Sequence, residues 1–88
     1  MLIVSIDYSP ENEAFTGISF DGTHAQQFIV TQQYEQIDKV NMVFTDYDHL
    51  WNVWGKFDPY RRFLADPIEV EEITYREIKA KVPDDQIG

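Results

Sequence analysis

Eighty-eight residues of 10.4 kDa make a single domain, 1–88, because each half of so short a chain would bury too little surface to offset its ordering entropy. Sixteen acids against seven bases leave a formal charge of −9, which repels phosphate backbones and anionic headgroups, so neither direct nucleic-acid binding nor membrane binding is expected. With no cysteine there is no disulfide framework, thiolate metal site or cysteine nucleophile, and packing, rich in aromatic side chains, must hold the fold.

The apolar run at Met1 to Ile6 has no basic leader or small-residue cleavage site, so it does not read as a signal peptide. No apolar stretch approaches the roughly 20 residues that cross a bilayer, and a cytoplasmic location is the default. Leu2, Val4, Ile6 and Tyr8 alternate with Ile3, Ser5 and Asp7, the period of a strand. Ser9-Pro10-Glu11-Asn12-Glu13 supplies a turn, and Phe15 to Phe20 returns as the second strand of a hairpin. After a second turn at Asp21-Gly22, the β-branched run inside Gln26 to Tyr34 predicts a third strand. A helix beginning at Thr23 competes there, but Gln32, Gln33 and Gln36 fall where its apolar stripe should continue. Val40, Met42 and Phe44 predict a short fourth strand.

Thr45 and Asp48 mark a helix start, and Tyr47, Leu50, Trp51 and Trp54 share one face of a main helix over about 46–56. Asp58-Pro59 predicts a short second helix over about 59–65, carrying Tyr60, Phe63 and Leu64. From Ile68 to Val82 the apolar residues scatter around a helix, so extended structure with breaks near Glu71-Glu72 and Arg76-Glu77 is expected, although Asp66, Pro67 and Glu69 would also serve as a helix start. Residues 83–88 read as a frayed tail. The fold class that follows is α+β: a mostly antiparallel sheet of four to five strands with one main and one short helix.

No residue pattern calls for catalysis, a cofactor or a metal. Asp46, Asp48 and His49 are the only cluster of two carboxylates and an imidazole within four residues, yet on a helix Asp46 and Asp48 point about 200° apart, leaving two ligands on a face, too few to enclose an ion. No serine lies in a nucleophile elbow, and no glycine spacing makes a phosphate loop. A small metal-binding or hydrolytic domain centred on Asp46 and His49 is the weakest of three readings.

Charge carries the leading one. Residues 1–38 hold six acids and no Lys or Arg, while residues 39–88 hold ten acids and all seven bases. Glu11, Glu13 and Asp21, together with Asp66, Glu69, Glu71 and Glu72, are the expected contacts to a basic partner surface, with Glu69 and Glu71 about 6.6 Å apart on one strand face, the scale of successive phosphates. Phe57, Tyr60, Arg61 and Arg62, in a segment with six aromatics in seventeen residues, are expected to lock the orientation. In size and charge the chain resembles the small acidic inhibitors that phages use against host nucleases, some anti-CRISPR proteins among them. That likeness implies a non-enzymatic DNA mimic in the host cytoplasm, occupying the basic groove of a nucleic-acid-binding protein or complex. An adaptor docking through the aromatic and arginine patch is the alternative, and either reading is compatible with a homodimer.

Overall fold

The computed structural model describes residues 1–57 and 63–83, with the backbone alone at residues 41, 57 and 65. Strands β1 (Leu2–Ser9), β2 (Ala14–Phe20), β3 (His24–Val30), β4 (Glu35–Val43) and β5 (Phe63–Glu69) form one antiparallel sheet in the order β4-β3-β2-β1-β5. Helix α1 (Tyr47–Val53), a 3-10 turn at Gly55–Phe57 and helix α2 (Tyr75–Lys81) are the other elements among the described residues. No helix among the described residues is long and apolar enough to cross a membrane.

Alternation along the strands sends apolar side chains to both faces, and each face has its own core. Ile3, Ile6, Phe15, Phe28 and Val30 pack under α2 with Val70, Ile73 and Ile78. Val4, Phe20 and Ala25 pack under α1 with Phe44 and Leu50. Both Ile3 and Val4 are fully buried, which a strand with one wet face would not do. A bulge between Ile3 and Ser5, seen in the pairing of β1 with both neighbours, shifts the register midway along the strand. Gly17 pairs with Ile6, just past that bulge. A Cβ there would lie 2.1 Å from the Ser5 carbonyl oxygen and 2.8 Å from the Phe28 ring, so only a residue without a side chain fits.

The third strand starts two residues earlier than its sequence pattern indicated and ends at Val30, because Thr31 to Tyr34 makes a tight turn. There the Thr31 N–H donates to the Tyr34 carbonyl (2.9 Å), and the Thr31 hydroxyl accepts from the N–H groups of Gln33 and Tyr34. That turn lengthens the fourth strand to Glu35–Val43, well beyond the short segment expected around Val40 to Phe44. The main helix is shorter than 46–56, and its N-cap is Asp46 rather than Thr45, the Asp46 carboxylate accepting from the His49 N–H at 2.9 Å.

Two expectations fail. The second helix over 59–65 is overturned at its C-terminal end, since Phe63 already opens β5; its earlier residues lie outside the described ones. The extended reading of 68–82 is also wrong: β5 ends at Glu69, and Thr74 caps α2 by accepting from the Glu77 N–H at 3.2 Å. Ile78 alone is buried on α2, with Val82 closing the same core just beyond it. A seven-residue helix needs only one such anchor, so its apolar positions show no stripe. Pro67 inside β5 is tolerated because β5 is an edge strand.

Candidate binding surface

Among the described residues, helix α1 covers only part of its face of the sheet, and the remainder is an open groove. Two cross-strand rows make the floor. Asp7 lies opposite Thr16, Thr16 opposite Ile29 and Ile29 opposite Gln36; in the next row Ser5, Ile18, Gln27 and Asp38 follow in the same order. At about 4.8 Å per strand, each row spans about 14 Å. Trp54 and Phe63 wall the end nearest α1, and the groove has a volume of about 470 Å³. Asp7 and Asp38 occupy diagonal corners of this floor. Asp38 accepts from the Gln36 amide at 3.2 Å, and an Asp7 oxygen accepts from the Tyr8 N–H at 2.9 Å. Ile29 is 40% exposed in the floor between them.

At the other end of α1, Asp21, Asp46 and Glu69 converge on a shallower hollow of about 400 Å³, together with Leu2, Phe20 and Tyr47. Three turns of chain bring them there: the β2–β3 turn, the helix cap and the end of β5. Asp21 accepts from the N–H groups of His24 (2.7 Å) and Thr23 (2.8 Å), and these two bonds, His24 first, hold its carboxyl below the ordinary aspartate range. The Tyr47 hydroxyl donates to the Leu64 carbonyl at 2.9 Å, and burial raises its pKa. Neither the groove nor the hollow has a Lys or Arg among the described residues that line it.

The described bases lie mostly on the opposite side. Lys39 pairs across with Gln26, on the face of Phe28, and Arg76, Lys79 and Lys81 belong to α2. Lys81 bonds Glu77 at 3.1 Å, so this acid is paired, and its pKa is lowered chiefly by that bond.

Of the residues singled out from sequence, Asp21 and Glu69 come together. Glu71 and Glu72 follow β5 in the bend before α2, so the expected strand face shared by Glu69 and Glu71 does not exist. Glu11 and Glu13 lie in the β1–β2 turn, at the opposite end of β1 from Leu2 and Glu69; Asp66 is exposed on β5. Tyr60, Arg61, Arg62 and the Phe57 side chain lie outside the described residues. Sequence reading missed Asp7, Asp38 and Asp46 as parts of a surface; for Asp7 the signal was the alternation, which sets it on the face opposite buried Ile6, whereas Asp38 lies on an edge strand with no buried residue, among those described, to mark its face. His49 is engaged locally, its Nδ1 accepting from the Thr45 N–H at 3.1 Å and its ring meeting Phe44 at 5.4 Å, so Asp46 and His49 act as caps for α1. No protein-family model, curated protein or solved structure matches the chain, and no residue role is transferred from a relative.

Proposed function

We propose that the chain is a non-enzymatic binding module whose α1 face docks on a basic protein surface, acting as a stoichiometric inhibitor that occupies the phosphate-binding track of a nucleic-acid-handling protein. The observation that carries this reading is a face with five carboxylates, Asp7, Asp38, Asp21, Asp46 and Glu69, around two concavities that no described Lys or Arg lines. Asp7, Asp38, Asp21 and Asp46 accept hydrogen bonds from uncharged donors of Tyr8, Gln36, Thr23, His24 and His49, and the long-range field of such a face steers cations in. Trp54, Phe63 and Ile29 supply apolar area beside the charges, as an interface core requires.

A second reading has its own support. Trp51 is 38% exposed, lying against Phe63 with ring centroids 6.0 Å apart, and an exposed tryptophan is a natural anchor for an adaptor interface. Salt separates the two. Affinity capture from cell lysate across a salt series, with duplex DNA added as competitor, should release the partner steeply between low and moderate ionic strength and with DNA. A partner held equally through both treatments would overturn the inhibitor reading and favour the aromatic one.

A further inference from the structure

Strand β4 is an edge of the sheet, and every residue from Gln32 to Lys39 on it and on the turn before it is exposed. Its backbone polarity follows from the turn. The Thr31 N–H to Tyr34 carbonyl bond makes 31 and 34 a hydrogen-bonded pair, so by alternation Ile29–Gln36 and Gln27–Asp38 are hydrogen-bonded, while Val30–Glu35, Phe28–Ile37 and Gln26–Lys39 are not. The backbone N–H and C=O groups of Glu35, Ile37 and Lys39 therefore turn outward along the open edge. Ile37 adds a side chain that is 43% exposed. A long edge with exposed apolar residues is a pairing site unless something blocks it.

We propose that the occupant is a second copy of this chain, its β4 antiparallel to the first and centred on Ile37. A two-fold axis normal to the sheet sets residues whose numbers are symmetric about the centre opposite each other, on the same face. Centring on Ile37 places Ile37 against Ile37, each Glu35 against the other copy's Lys39, and each Gln36 against the other copy's Asp38. Both outer pairs are complementary, and residues 35, 37 and 39 are the ones whose backbone groups point to the new strand. Centring on Asp38 or Lys39 sets like charges together, and centring on Gln36 or Val40 leaves Glu35 and Lys39 without opposite charges. The two five-stranded sheets become one, with both α1 helices on one side, and the two grooves, each edged by Gln36 and Asp38, meet in a single acidic trough. The dimer is independent of which basic partner the trough receives.

Sedimentation of the intact chain from micromolar to several hundred micromolar, in moderate salt so that the mutual repulsion of two chains of charge −9 is screened, tests this. The expected result is a concentration-dependent rise to twice the 10.4 kDa chain mass. Lys39→Glu sets carboxylate against carboxylate twice and should weaken association about tenfold or more, and Glu35→Lys should do likewise; the double variant Glu35→Lys/Lys39→Glu restores both pairs and should recover it. Ile37→Pro removes only an outward N–H and should abolish the dimer with the circular dichroism spectrum retained. A chain that stays monomeric throughout overturns the proposal. So does a dimer that both single charge variants leave unchanged, or a monomer that takes up an edge strand only from a different protein.

Discussion

The two faces of the sheet carry the same number of helices but are finished differently. Under α2, Ile3, Phe15, Phe28 and Val30 are closed over by Val70, Ile73, Ile78 and Val82, and Tyr8, Phe15 and Tyr75 extend the contact as a chain of tilted rings at 4.9 and 5.1 Å. Under α1, Leu50 and Phe44 seal the first half of the face, while the second half stays open with Thr16, Gln27, Gln36 and two aspartates on its floor. The first face is closed by apolar contacts, and the second carries a polar floor that the described residues leave uncovered.

This contrast can be strained at several points. The largest effect is expected from Phe28→Ala, which empties a 2% exposed site in the closed core and should cost about 3 to 5 kcal/mol in urea unfolding. Gly17→Ala should follow at about 3 kcal/mol, because its methyl group meets backbone at the β1 bulge and backbone cannot swing aside. Trp51→Ala, on the open side, should cost only about 1 to 2 kcal/mol, since the ring is 38% exposed and loses its edge contact with Phe63 and its packing on Gly55 rather than a core position. If Trp51 cost as much as Phe28, the two sides would not differ in kind. The smallest effect concerns pH. The Asp21 carboxyl has its pKa lowered in the folded state, so its contribution is present above the unfolded value and is lost as pH falls through the folded one. Unfolding measured from pH 5 to pH 2 should show Asp21→Asn losing less stability on acidification than the parent chain; an identical slope would mean that the turn bonds to Thr23 and His24 are not coupled to folding.

The parts legible in the sequence were those set by local alternation and turn chemistry. Strands β1 and β2, the turn at Asp21-Gly22 and the α1 stripe through Tyr47, Leu50 and Trp54 follow from side-chain period and residue type, and the structure has them, but Trp51, expected on the same stripe, is turned outward and exposed. The C-terminal third was not legible, because its structure depends on distant partners. Phe63 enters a strand through pairing with Ser5, and the N–H of Val70 donates to the Met1 carbonyl at 2.9 Å, contacts that no window of local sequence contains. Helix α2 is decided by Thr74 and by burial of Ile78 against strands far earlier in the chain. The candidate surface was half legible. A surplus of acid was plain, but which acids share a face required the register, which joined Asp7 to Asp38 across four strands and separated Glu11 and Glu13 from Glu69.

The central claim is that location on the open face, rather than total charge, governs recognition of a basic partner. Two double variants change the charge equally: Asp7→Lys with Asp38→Lys inside the groove, and Glu11→Lys with Glu13→Lys in the β1–β2 turn. Their affinities for one Lys/Arg-rich peptide should be measured by calorimetry at the same moderate salt. The groove pair should lose about tenfold or more in affinity, and the turn pair should lose about threefold or less. Equal losses would contradict the account, leaving a general acidity with no site.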